Sequence, residues 1–131
     1  MSERLIHRLV LASAERRADR PAYWLRTPDG FAPLSYTELK KRVLTLARGL
    51  VKSGFKPQTK AAIYAPDSPE WGITYLAILA AGGVVVPLDQ QSKYLELRSI
   101  INRAEVNMLF CDPDHYQDSL ELELISCNSP M

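Results

Sequence analysis

Few side chains in this chain carry chemistry, and their spacing limits what they can do together. Histidine occurs twice, as His7 in a stretch that reads as helix and His115 in a loop rich in proline and aspartate. Neither has a serine or cysteine placed beside it in a nucleophile motif, so neither reads as a general base. His115 reads as a surface loop residue. Cys111 and Cys127 form no C-x-x-C pair, and Cys111 closes an apolar run, which reads as a buried reduced thiol. Asp112 and Asp114 could attract a cation, but two carboxylates on one loop are a weak metal signal. Phosphate binding would need a glycine-rich loop after a strand, and neither G-x-x-x-x-G-K-S/T nor G-x-G-x-x-G is present. Gly82-Gly83 precedes a strand instead of following one, so it reads as a helix stop and not an anion cradle. No interleaving of basic and aromatic residues points to nucleic acid. The side chains therefore assign no catalytic, cofactor-binding or metal-ligating residue.

The elements that would carry any site are easier to read. The centre of the chain is Trp71 to Leu88, an uncharged run closed by Asp89. About 18 apolar residues begin to suffice for a membrane span, but the punctuation here is that of a buried helix turning into a buried strand. Gly82-Gly83 suits a helix end, Val84-Val85-Val86 favours extended chain, and Pro87 marks a strand end or an edge. Pro66-Asp67-Ser68-Pro69-Glu70 before it is a helix start, with Ser68 as cap and Pro69 in the first turn.

Ahead of this unit, Ser2 offers a cap for a first helix carrying Leu5, Leu9 and Ala12 on one side and Arg4 and Arg8 on the other. Asp19-Arg20-Pro21 stops it. Ala22–Arg26 and Phe31–Leu34 flank the turn Thr27-Pro28-Asp29-Gly30 as a hairpin. Ser35-Tyr36-Thr37-Glu38 has the form of a capping box, in which serine and glutamate each satisfy an amide at a helix start. Leu39, Val43, Leu46 and Leu50 then make the apolar row of a helix of about five turns that ends at Gly54. Its basic residues read as the wet face. Ala61–Ala65 is a short buried strand. Beyond the central run, Ser92 caps a helix with Leu97, Ile100, Ile101 and Ala104 inside, and Asn107–Cys111 is a last strand. Leu120, Leu122 and Leu124 alternate with Glu121 and Glu123, a pattern open to strand or helix, and Cys127–Met131 reads as a frayed end. A helix, a hairpin and then αβαβαβ imply an α/β fold: a mostly parallel sheet with helices packed on it.

Composition agrees with an ordinary globular protein. The chain has 131 residues, a 47% apolar share and a net charge of +1, enough for one domain and its core. Residues 1–112 hold the pattern; residues 113–131 form an acidic, weakly patterned tail without a single lysine or arginine. The N-terminus lacks the uninterrupted apolar stretch of a secretory signal. A cytoplasmic location is expected, with the basic first helix able to rest on a membrane surface.

Two motifs carry a family resemblance. Leu34-Ser35-Tyr36-Thr37-Glu38-Leu39 resembles the first core motif of the adenylate-forming (AMP-binding) enzymes, which include acyl-CoA synthetases, luciferases and peptide-synthetase adenylation domains. Leu79-Ala80-Ala81-Gly82-Gly83-Val84-Val85-Val86-Pro87-Leu88-Asp89 resembles the second. Asp19-Arg20-Pro21-Ala22 is similar to the family's entry into the hairpin, and Pro69-Glu70-Trp71 ahead of Tyr75–Gly82 is similar to its fatty-acid-activating branch. The similarity runs from about Leu5 to Asp112. It implies the opening part of the large N-terminal domain of a long-chain fatty acid–CoA ligase, roughly a quarter of an enzyme of three or more ~150-residue units. The complete family enzyme uses ATP, magnesium and coenzyme A to convert a carboxylic acid to an acyl-adenylate and then a thioester. This chain holds no counterpart of the family's phosphate loop, magnesium segment, ribose-binding aspartate, hinge or C-terminal lysine. It is therefore expected to bind none of these cofactors and to be inactive alone, with exposed apolar surface where a remainder would pack. The alternative is a non-catalytic subunit that completes a separately encoded C-terminal remainder.

Overall fold

The computed structural model describes residues 5–115 and the backbone of residues 127–130. Helix α1 (Ile6–Arg16) is followed by a hairpin, β1 (Pro21–Thr27) and β2 (Gly30–Ser35), and by α2 (Tyr36–Lys52). Then come β3 (Lys60–Tyr64), α3 (Pro69–Ala80), β4 (Val84–Pro87), α4 (Tyr94–Ala104), β5 (Met108–Cys111), a 3-10 turn at Pro113–His115 and β6 (Cys127–Pro130). The hairpin is antiparallel, and the other four strands form one parallel sheet in the order β4-β3-β5-β6. This is the α/β architecture expected. Ser2 and the Leu120–Leu124 alternation lie outside the described residues.

The connection from β3 to β4 moves one way across the sheet, and that from β4 to β5 moves back over β3. Right-handed crossovers running in opposite directions must place their helices on opposite faces. Alternation along β3 records the result. Ala61 and Ile63 face Val43 and Leu50 of α2 and Ile73 and Ala77 of α3. Ala62 and Tyr64 face Leu97 and Ile101 of α4, together with Leu109 and Cys111 of β5. The strand is buried on both sides, as parallel strands covered by helices are.

Local chemistry sets the helix ends. Ser35 Oγ accepts from the Glu38 amide at 3.1 Å, and Ser68 Oγ accepts from the Trp71 amide at 3.1 Å. Only half of the expected capping box forms at Ser35, because the Glu38 carboxylate turns along the helix to Arg42 at 3.2 Å. Three helices close with the same pair of backbone bonds. Phe55 N–H donates to Leu50 O and Gly54 N–H to Val51 O; Gly83 to Ile78 and Gly82 to Leu79; Val106 to Ile101 and Glu105 to Asn102. Each pairing is the Schellman closure, which needs one residue in the left-handed region. Gly54 (φ 101°) and Gly82 (φ 86°) supply it without steric cost, whereas at α4 the residue is Glu105 (φ 54°).

Four expectations need correction. Helix α4 starts one residue late: Lys93, not Ser92, is the N-cap, its amide donating to Glu96 Oε2 at 3.3 Å while the Ser92 amide turns back to Asp89 O. Strand β4 is a half-exposed edge, with Val84 45% exposed, and not a buried strand, because nothing among the described residues pairs on its outer side. Residues 127–130 are a strand beside β5, not a frayed end, with Leu109 paired to Cys127. His115 is half-buried and not on the open surface. Large exposed apolar side chains do occur, Leu95 (75%), Phe31 (69%) and Trp24 (59%) among them, on α1, α2, α4 and the hairpin, and among the described residues Val84 alone represents the parallel sheet.

Three measurements test this packing. A Cβ at Gly83 would stand 2.5 Å from Phe55 Cζ and 2.9 Å from Ile78 Cγ2, and Phe55 is buried. Gly83→Ala should therefore destabilise by about 1–3 kcal/mol in urea unfolding, as overpacking does. Glu105→Gly should stabilise by about 0.5–1 kcal/mol, since removing left-handed strain outweighs the entropy glycine adds to the unfolded chain. The Glu105–Lys60 pair at 3.7 Å is exposed and offsets little of this. Tyr23, on the inner face of the hairpin, has its phenol pKa raised above 10.0, first by burial and then by Tyr36. A folded pKa above the unfolded one gives stability that is present below pH ~10 and lost as pH rises through the folded value. Tyr23→Phe should lack that alkaline loss in melting curves taken from pH 8 to 11.

Candidate functional site

In open α/β sheets, ligands bind beyond the carboxyl ends of the strands, where outgoing connections diverge. Here they diverge between β3, which leads to β4 on one side, and β5, whose next described strand, β6, lies on the other. Three segments reach this end: Ala65–Asp67 after β3, Leu88–Gln91 after β4 and Asp112–His115 after β5. Asp89 Oδ1 accepts from the Gln91 amide at 2.8 Å, which fixes the turn after β4. His115 Nδ1 meets Asp112 Oδ1, and its ring lies 4.6 Å from that of Tyr64 at 51°. Asp112 therefore serves His115 rather than forming a cation site with Asp114. Among the described residues no group of three His, Cys, Asp or Glu side chains could hold a metal ion.

Two cavities open here and share Asp67 and Trp71. One, of about 540 Å³, lies between the ends of β3 and β4 and is lined by Pro87, Asp89, Gln90 and Gln91 as well. The other, of about 630 Å³, runs between α1, the hairpin and the first turns of α2 and α3. Its wall holds Tyr23, Tyr36, Trp71 and Tyr75, with Trp71 and Tyr75 stacked 5.4 Å apart at 18°. Pro69 and the Ser68 cap fix where α3 starts, which puts Trp71 and Tyr75 one turn apart on the side facing the hairpin. Gly72 between them leaves space for Tyr23, whose hydroxyl would collide with a Cβ there. Among the described residues, neither cavity has a lysine, arginine or histidine in its wall.

That donor set does not fit a magnesium–triphosphate, whose bound oxygens need cationic side chains or converging amides. No step of an adenylyl transfer is assigned to these residues. The side chains singled out from the sequence are not brought together. His7 sits on α1 beside Arg8 at a groove reaching Leu79 and Gly82, its pKa held below the usual value by burial and by Arg8. Cys111 is buried in β5, and Cys127 belongs to β6. Gly82-Gly83 ends α3 and approaches no strand's carboxyl end. The aromatic cavity escaped the sequence because Tyr23 and Tyr36 come from other elements than Trp71 and Tyr75. Only the i, i+4 spacing of the last two was there to be seen.

Among the described residues, no helix is long and apolar enough to cross a membrane. A family model described as "AMP-binding enzyme" matches residues 10–129. The chain is 33% identical over 115 residues to a nonribosomal peptide synthetase of a Lecanicillium species, an alignment covering 88% of this chain and 1% of that protein. It is 32% identical over 100 residues to feruloyl-CoA synthase of an Amycolatopsis species, covering 76% of this chain and 20% of the relative. Among solved structures, apo MatB from Rhodopseudomonas palustris superposes with a TM-score of 0.68 at 30% identity, over 86% of this chain and 22% of MatB. The chain thus spans about a fifth or less of the length of these relatives, and in them its counterpart is part of a larger protein. With the strand order, both core motifs and a family match over nearly the whole length, this chain belongs to the AMP-binding, adenylate-forming enzymes.

Proposed function

We propose that this chain is the N-terminal part of an ATP-dependent acid–CoA ligase that activates a carboxylic acid, of the fatty acid class, as its acyl-adenylate. The observation that carries this reading is the second core motif in place. Gly82 and Gly83 close α3 and deliver Val84–Pro87 to the sheet edge beside β3, the arrangement in a family whose members include CoA ligases. The Pro69-Glu70-Trp71 start of α3 supports the fatty-acid branch. The chain supplies scaffold; ATP, magnesium and coenzyme A would be held by the remainder of the enzyme, where the phosphate loop resides. A peptide-synthetase adenylation domain is the second reading, favoured by the synthetase relative at 33% identity.

The test is acid-dependent exchange of pyrophosphate into ATP. Pure chain should give none above background, and measurable exchange by it overturns the scaffold reading. Co-expressed with a remainder carrying the phosphate loop, it should give exchange with fatty acids and a CoA thioester product. Exchange with amino acids and no thioester would instead select the peptide-synthetase reading.

A further inference from the structure

We propose that the aromatic cavity between α1, the hairpin and α3 is a binding site for an organic ammonium: a positively charged nitrogen carried on an apolar body. Four rings, Tyr23, Tyr36, Trp71 and Tyr75, stand in its wall, and among the described residues the one charged side chain there is the carboxylate of Asp67. The adjoining cavity adds a second carboxylate, Asp89, and no cation. In a chain with 16 basic and 15 acidic residues, two cavities that share Asp67 and Trp71 and are walled, among the described residues, only by acids and uncharged groups select the sign of the guest. A carboxylate or phosphate would meet repulsion from Asp67 and find no cationic side chain. An ammonium would find four aromatic rings, a type of group that attracts cations electrostatically, and the Asp67 carboxylate in the same wall.

The groups are also free to act. Among the described residues, Asp67 makes no ion pair and no hydrogen bond, and neither do the Tyr23 and Tyr36 hydroxyls or the Trp71 indole N–H. Burial, and then the neighbouring Tyr36, raise the Tyr23 phenol pKa and hold it protonated, so that hydroxyl brings no competing charge. About 630 Å³ is ample for a small molecule. The site does not depend on which acid the family activity uses, and its test is separate from the exchange assay.

The probes are benzyltrimethylammonium and choline, with 3,3-dimethylbutan-1-ol as the neutral isostere of choline. Binding is read from the two tryptophan indole resonances in proton–nitrogen NMR of the full chain, assigned through Trp24→Phe. Benzyltrimethylammonium should shift the Trp71 resonance saturably and leave that of exposed Trp24 in place, and choline should bind at least about fivefold more tightly than its isostere. Asp67→Asn, at an exposed position, should weaken both cations about three- to tenfold. Glu70→Gln, which removes a nearby acid outside the cavity wall, should not. The proposal is overturned by equal binding of choline and the neutral alcohol, by equal effects of the two acid substitutions, or by the absence of a saturable shift at Trp71.

Discussion

Where α3 runs into β4, three pieces of chain meet at a point that admits no side chain. Gly83 lies against the ring of Phe55 and the side chain of Ile78, and Gly82 lies against Pro57. Phe55 is itself the residue that closes α2, so the ends of two helices are locked to each other through a glycine. The same contact stitches the strands: Gln58 N–H donates to Gly82 O at 2.7 Å, and Val84 N–H donates to Thr59 O at 2.8 Å. Those bonds set Lys60 opposite Val84, and the β3–β4 register follows from there. A one-residue slip would turn Ala61 and Ile63 away from α2 and α3 and bring Ala62 and Tyr64 in their place. The division of the core into two faces thus rests on a contact in which glycine is needed twice, once for its conformation and once for its size.

Legibility of the fold varied with how local its causes were. Ser35, Ser68, Gly54 and Gly82 act on their own backbone neighbours, and these caps and stops stood in the sequence much as they stand in the structure. Ser92 misled because Lys93 and Glu96 capped the helix through a carboxylate reaching back, a choice between adjacent residues that local pattern does not decide. Val84–Val86 misled because burial of a strand depends on its neighbours, and a β-branched run reads alike at the centre and at the edge. Cys127–Pro130 carries almost no strand pattern; its partner, Leu109–Cys111, is what makes it a strand. The candidate site was the least legible part. Its four rings come from a hairpin, the start of one helix and the first turns of another, and only the completed fold brings them to one wall.

The carboxyl end of the sheet shows how a family scaffold separates support from chemistry. The backbone turns there are well determined: Asp89 caps its own turn, and Asp112 holds His115, whose ring lies against Tyr64. Yet the charged side chains facing the cavities are acids, the wrong sign for a nucleotide. In the proposed ligase, the groups that neutralise a triphosphate would come from another segment of chain.

The outer rim of β4 has a consequence for how the chain behaves among its own copies. Val84 bonds back to β3, but the outward-facing backbone of Val85 has no strand partner among the described residues, and the valine run carries no charge, the composition that most readily templates a strand from a neighbour. Protection here comes from brevity: the strand is four residues long and its last is Pro87, which lacks an amide to donate. Replacing that proline, which is exposed and belongs to neither core cluster, would remove the safeguard, so self-association at this rim is restrained by a residue that contributes little to the core.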